Sequence, residues 1–249
     1  MLLLHCSWPE VEARLARDTG IIIPIGSTEQ HGPNGLIGTD ALCAEVVAKG
    51  VGDAADALVA STISVGMAQH HLGFPGSMTL RPSTLIAVVR DMVQSLVRHG
   101  FTRIYFINGH GGNIATVSAA FSEVHADSSL EDDSGNASDL RCRLKNWYDS
   151  SAVRQISREL YGNAEGSHAT PSEVALTQYA FPESIKSAEM SPAIAPSGPI
   201  HDARDYRRRF PDGRIGSNPA LASPEAGQRL YEGAVADLTA DYRTFLNAD

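Results

Sequence analysis

The sequence predicts an α/β fold, a three-layer α/β/α arrangement with a mostly parallel central sheet. Two observations point to it. The runs Ile21-Ile22-Ile23-Pro24-Ile25 and Arg103-Ile104-Tyr105-Phe106-Ile107 are apolar without polar alternation, as expected of strands covered on both faces. Stretches of helical period separate such runs, so strand, loop and helix recur, the pattern of parallel strands joined by crossover helices. In sheets of this kind ligands sit at the carboxyl ends of the strands. Both runs end there in Gly-rich segments.

Taken in order, 21–25 reads as a buried strand, 41–51 as a helix and 58–65 as a strand. The stretch 82–98 reads as a helix that opens on Pro82, puts Leu85, Val89, Met92 and Leu96 on one face and stops at Gly100. A strand at 103–107, a helix at 114–126 and a strand at 141–147 follow. The acidic, turn-rich stretch 127–136 is expected as a surface loop. A helix opens at Pro171, and another closes the chain near 226–245, with Leu230, Ala234 and Leu238 at core spacing. The segment 184–223, rich in Pro, Gly and charge, is too long for an inert connection and is expected to be a lid or a subunit contact. Residues 1–249 are expected to form a single domain, since 43% hydrophobic content over 249 residues can bury a substantial core.

Composition excludes several classes of function. A formal charge of −9 argues against nucleic acid and anionic membranes as partners. No apolar run is long enough to span a bilayer, and Met1-Leu2-Leu3-Leu4 is too short for a signal segment. Cys6, Cys43 and Cys142 show no paired spacing, which suits a reducing cytoplasm and disfavours a thiolate zinc site or a thiol nucleophile. There is no G-x-S-x-G elbow, no P-loop Lys-Ser/Thr pair and no dinucleotide fingerprint.

Three clusters carry chemistry. The first, Gly26-Ser27-Thr28-Glu29-Gln30-His31-Gly32-Pro33 with Gly38-Thr39-Asp40, follows the first strand and offers two carboxylates and an imidazole, ligands that Zn²⁺, Mn²⁺ and Fe²⁺ accept. Glu29 and His31, at i and i+2 of extended backbone, project to one face, and the loop gives Asp40 room to fold back. The second, Asn108-Gly109-His110-Gly111-Gly112-Asn113, presents His110 at the tip of a turn. The third, Glu165-Gly166-Ser167-His168-Ala169-Thr170-Pro171-Ser172-Glu173, opens a helix. Here Thr170 suits an N-cap and Glu173 a capping box, which explains Glu173 without function but leaves His168 unexplained.

These clusters, with the segment Gly66-Met67-Ala68-Gln69-His70-His71-Leu72-Gly73-Phe74-Pro75-Gly76, resemble the creatininase (creatinine amidohydrolase) family. Its members carry, in the same order, a G-S-x-E-Q-H-G loop ending in T-D, a G-x-x-x-E-H-x-x-F-P-G segment, an N-G-H turn and an H-A-x-x-x-E segment. The resemblance implies a centre of one or two divalent ions per subunit, most often Zn, with Mn or Fe as alternatives. Glu29 would bind the first metal and His31 the second, Asp40 would bridge them, and His110 would complete the first. Where creatininase has a glutamate two residues beyond the N-G-H histidine, this chain has Gly112, and Glu173 is the candidate replacement, as ligand and catalytic residue. His168 matches the histidine assigned proton transfer, with a pKa near neutrality expected. Ser167 stands where creatininase has a glutamate, and the place of its lid tryptophan falls near 164. His70 replaces the glutamate of the G-x-x-x-E-H segment.

The resemblance further implies a small-molecule amide as substrate, a cyclic amide in the first place, and a homo-oligomer, commonly a hexamer. A formamide deformylase on a pyrimidine nucleotide, a small-peptide amidase and a non-catalytic metal-binding protein are the alternatives. In the hydrolytic scheme metal-bound water attacks the carbonyl, His168 protonates the departing amine, and Ser27, Thr28 and the N–H groups of Gly111 and Gly112 help hold the oxyanion. Arg207-Arg208-Arg209 either binds an anionic substrate group or forms a salt-bridged face, the second being favoured.

Overall fold

The computed structural model describes residues 1–131 and 139–247. Its order is α1 (Trp8–Leu15), β1 (Gly20–Ile25), α2 (Thr39–Ala55), β2 (Leu58–Val59), α3 (Pro82–Arg98), β3 (Arg103–Asn108) and α4 (Asn113–Glu131), then β4 (Arg141–Asn146), α5 (Ser151–Leu160), α6 (Pro171–Ala180), α7 (Ala203–Arg209) and α8 (Pro224–Leu246). The four strands are parallel, in the order β2-β1-β3-β4. Ile22 pairs with Val59 on one side and Tyr105 on the other, and the last pair of the central ladder is Ile25 with Asn108.

Period-two alternation divides β1 and β3 between two cores. Ile21, Ile23, Ile25, Ile104 and Phe106 pack with Leu85, Val89 and Val93 of α3 and Val117 and Ala120 of α4. Ile22, Tyr105 and Ile107 face Val47 and Val51 of α2 and Leu230, Leu238 and Tyr242 of α8. Helices therefore cover both faces, the three-layer arrangement that the unbroken apolar runs require. Each of these isoleucines is fully buried, a contribution of about 1.5–3 kcal/mol apiece.

The strand expected at 58–65 is much shorter. Ala60 N donates to Ile22 O, but the next ladder bond comes only at Ile63 N to Pro24 O. Pro24 has no N–H to return, and Thr62 Oγ1 instead donates to Glu45 Oε2, so the chain leaves the ladder between them. The loop expected at 127–136 divides: 127–131 continue α4, and 132–136 lie outside the described residues. Helices α1 and α5 were not anticipated. Each is set by a serine cap, Ser7 in a capping box with Glu10 and Ser150 accepting from Val153 N, and α5 turns Val153 and Ser157 inward.

The segment 184–223 is built, not irregular throughout. Asp202 caps α7 by accepting from Arg204 N and Asp205 N. Arg214 is fully buried and donates to Asp212 and to the carbonyls of Pro192, Ala193 and Ser217. Arg208 and Arg209 pair with Asp205 at 2.6 and 3.0 Å, and Arg207 lies 4.5 Å over the Phe74 ring. The triplet is thus a salt-bridged and stacked face.

Candidate metal centre

The first loop leaves β1 after Ile25, the second leaves β3 after Asn108, and α2 begins between them in space. Asp40 does not fold back from a loop. It sits in the first turn of α2, where the helix dipole favours a carboxylate. That turn lies directly against the second loop, since a Cβ on Gly109 would meet Asp40 O at 2.0 Å. Only glycine permits this approach. Asn108 then fixes the turn, its Nδ2 donating to His110 O at 2.7 Å and to Asn146 Oδ1 at 2.8 Å, its Oδ1 accepting from His110 N at 3.1 Å.

The structure brings Glu29, His31, Asp40, His110, His168 and Glu173 to one point. Asp40 lies at the middle, its Oδ1 3.0 Å from His31 Nε2 and its Oδ2 3.0 Å from His110 Nδ1. Glu29 Oε1 is 3.4 Å from His110 Nδ1 and 3.8 Å from His168 Nδ1. Glu173 Oε2 is 3.9 Å from His31 Nε2. Glu29 with Asp40 and His110, and His31 with Asp40 and Glu173, each gather three possible ligand atoms within 4.8 Å of one another. Asp40 belongs to both sets. Glu29 and His31 also form such a group with His168.

Glu173 caps α6, as expected, and faces the cluster at the same time. Its Oε1 accepts from Thr170 N in a capping box, while Oε2 is left to face the cluster. Gly112, in contrast, has no space for a side chain: a Cβ there would meet His110 Nε2 at 2.4 Å and Met67 O at 2.7 Å.

Hydrogen bonds fix the imidazoles. A carbonyl can only accept, so His31 Nδ1–H donates to Glu29 O at 3.0 Å and His110 Nε2–H to Met67 O at 3.0 Å. His31 Nε2 and His110 Nδ1 are thereby turned toward Asp40, the orientation that ligating histidines take from their outer partners. His168 Nε2–H likewise donates to Gln30 O at 2.8 Å, which leaves Nδ1 toward Glu29.

Two buried carboxylate oxygens, Glu29 Oε1 and Asp40 Oδ2, have no hydrogen-bond partner among the described residues. Such acceptors cost about 1–3 kcal/mol each when left unpaired. A divalent ion between them would satisfy both, and imidazole with carboxylate is a donor set for Zn²⁺ or Mn²⁺. The residues fit a metal.

Electrostatics agree with a shared charge. Burial pushes Glu29 up to about 8, with neighbouring His110 opposing. Burial disfavours charge on His31 and His110 too, but Asp40, Glu29 and, for His31, Glu173 outweigh it and raise them to about 10 and about 9. Asp40 is held well below the carboxylate range by those two histidines despite its burial. Glu173 is raised by burial to about 7.

His168 departs from the near-neutral value expected of it. Burial and the charge on His31 hold it well below, so this imidazole is neutral and a proton acceptor first. Ser27 and Thr28 are also engaged elsewhere, Ser27 Oγ donating to Glu29 Oε2 at 2.7 Å and Thr28 Oγ1 to Ser64 O at 2.7 Å, so neither serves the oxyanion.

Residues not singled out from the sequence complete the site. Gln30 is its hub: Oε1 accepts from Gly32 N at 2.9 Å, and Nε2 donates to His71 Nδ1 at 3.1 Å and Gly213 O at 3.0 Å. The proton of His71 is then on Nε2, which lies 3.1 Å from Glu29 Oε1 but is not aligned to donate to it. Gln30 lay within the E-Q-H motif, so a signal existed. Tyr206 had none, yet it is fully buried in van der Waals reach of the imidazoles, 4.9 Å from His71 between ring centres. Gly111, Gly112 and His70 line the cleft, about 810 Å³, that opens above Asp40 and His110, while Phe74 stays behind it, packed on Tyr206.

The family model for creatininase, described as creatinine amidohydrolase, matches residues 4–241. The chain belongs to the creatininase family. Among curated relatives, the creatinine amidohydrolase of Pseudomonas putida is 36% identical over 113 residues, 43% of this chain and 44% of the relative. The mycofactocin precursor peptide peptidase of Mycolicibacterium smegmatis is 36% identical over 106 residues, 40% of this chain and 42% of the relative. The chain thus spans less than half the length of either. A solved manganese creatininase superimposes with a TM-score of 0.86 over 99% of both chains at 24% identity. A creatininase mutant of Zn-Zn type gives 0.87 over 99% of this chain and 98% of the other at 23% identity. The α/β architecture is therefore that of the creatininase structures.

Proposed function

We propose that this creatininase-family protein is a metal-dependent amidohydrolase that cleaves a C–N amide bond by addition of water. The observation that carries the proposal is the pair of ligand triples sharing buried Asp40, with orphaned oxygens on Asp40 and Glu29. Glu29, Asp40 and His110 would hold one ion, and His31, Asp40 and Glu173 the other, Zn or Mn as in the family structures. When bound, such ions supply a water acidified from pKa 15.7 to about 7 and a Lewis acid for the carbonyl.

The chain's own residues do the rest. Neutral His168, with Nε2–H anchored on Gln30 O, takes the proton of the attacking water at Nδ1. The imidazolium then hands it to the departing nitrogen, which leaves as the neutral amine. Tyr206 and Gln30 hold His168 and His71 in place and keep bulk water from their inner edges. Gly111 and Gly112, which carry no side chain, leave the cleft floor open and let a carbonyl approach the ligand set.

A cyclic amide is the first reading, in keeping with the creatinine amidohydrolase relative. A linear amide within a larger molecule is the second, favoured by a cleft of about 810 Å³, in the range that encloses a drug-sized ligand. The peptidase relative is in keeping with it. Subunit association, with the segment 184–223 as lid or contact, is part of the same proposal and rests on family resemblance. Incubation of metal-reconstituted and chelated protein with creatinine, other cyclic amides, formamido-pyrimidine nucleotides and short peptides, followed by mass spectrometry, tests it. Metal-dependent gain of one water by one class supports the proposal. Bound metal without hydrolysis of any of them would favour a non-catalytic protein.

A further inference from the structure

The cleft has two ends of different character. The inner end holds Asp40, His110, His168 and Glu173, and α5 borders the outer end, where Arg154 and Arg158, both exposed, line the mouth one helical turn apart. The two arginines differ in their engagements. Arg154 is paired with Asp149 at 2.8 Å. Arg158 donates only Nε, to Arg154 O at 3.0 Å on its own helix, and among the described residues no carboxylate lies within 4 Å of its guanidinium. Neighbouring Glu159 is taken by Arg229 at 3.0 Å. Glu165, which also lines the cleft, bonds to Ser172 instead.

With its Nε anchored on the helix, Arg158 keeps both terminal amino groups for a ligand, the fork that binds carboxylate or phosphate in bidentate fashion. The better-known candidates, Arg207, Arg208 and Arg209, are spent on Phe74 and Asp205. The cleft is also far larger than an amide group alone requires.

We infer that the substrate carries an anionic group, a carboxylate or a phosphate, remote from its scissile amide, and that Arg158, supported by Arg154, is the specificity-determining residue that receives it. This inference rests on the amidohydrolase reading and narrows its substrate class. It makes Arg158 a binding residue that does not take part in proton transfer.

The test compares matched pairs with the metal-loaded enzyme: short peptides with a free or an amidated C-terminus, and a formamido-pyrimidine nucleotide against its nucleoside. The expected result is a kcat/KM at least tenfold higher for the anionic member of one pair, carried by KM. The pair that responds identifies carboxylate or phosphate as the source. Arg158→Gln should erase the difference, and Arg158→Lys should restore part of it. Equal turnover of both members, or a preference that survives Arg158→Gln, would overturn the inference and leave the amidohydrolase reading intact. Where none of these is hydrolysed, equilibrium binding of the same pairs to the metal-loaded protein decides: preference for the anion lost in Arg158→Gln upholds it, and no preference overturns it.

Discussion

Asp40 is fully desolvated, faces two histidines at 3.0 Å and belongs to both ligand triples. Its replacement by Ala, or that of Glu29, is expected to remove bound metal and hydrolysis together, and elemental analysis beside an activity assay checks both. Retained hydrolysis by metal-free protein would sink the mechanism. His168→Ala should instead keep its metal and lose about 10²–10⁴ in kcat, the usual contribution of a positioned acid–base group. Undiminished kcat would remove His168 from the chemistry. The protonation of the site gives a third expectation. Glu173 at about 7, Glu29 at about 8, His110 at about 9 and His31 at about 10 all hold protons at pH 6. A metal must displace those protons, so its affinity should rise as pH increases from 6 toward 10, with proton release on binding. Calorimetry in buffers of different ionisation enthalpy measures that release, and a pH-independent affinity would contradict it.

At the scale of elements, α2 and α6 are the two that deliver ligands from a helix. Both do so from the first turn, Asp40 near Gly38 and Glu173 in the capping box of Thr170. Helix capping and ligand placement are coupled in α6, because the bond from Thr170 N to Oε1 fixes the direction of Oε2. Thr170→Ala should cost about 1 kcal/mol of stability in denaturant unfolding of the chelated protein, a typical cap loss. Metal affinity should change little, because the backbone N–H of residue 170 that holds Oε1 survives the substitution; a large loss would show that the Oγ1 bond to Glu173 N also positions the ligand. Capping signals were visible at Thr170 and Pro171, while α5 was not anticipated, since its Ser150 cap follows directly on β4 and a 3-10 turn, with no Gly or Pro to mark the start.

For the whole molecule, the ligands arrive from the ends of β1 and β3, the start of α2 and the start of α6, so one ion set would tie the helical layer of α2, α6 and α8 to the sheet. A ligand that binds only the folded chain stabilises it by about 2.7 kcal/mol at a concentration 100 times its Kd. Zn²⁺ or Mn²⁺ is therefore expected to raise the melting temperature and a chelator to lower it, as calorimetry would show. The Asp40→Ala protein should show no such response. Among the described residues no helix is long and apolar enough to cross a membrane.

The alternation of apolar strands with helical stretches determined the three-layer fold, because burial on both faces of a parallel sheet leaves an unbroken apolar run that is read directly. That Glu29, His31, Asp40, His110, His168 and Glu173 stand in three motif clusters was likewise legible, since carboxylates and imidazoles recur there in glycine-rich turns and at a helix start; their roles as ligands and proton carrier are proposed. Tertiary structure decided what depends on chain segments far apart in sequence. It cut β2 short at Val59, because Pro24 lies opposite, and it closed position 112 to any side chain through His110 and Met67. It lowered the proton affinity of His168 through burial and the charge of His31. It spent the arginine triplet on Asp205 and Phe74 and set Arg158 at the cleft instead. Burial, charge and pairing are properties of neighbours in space, and a local motif does not carry them.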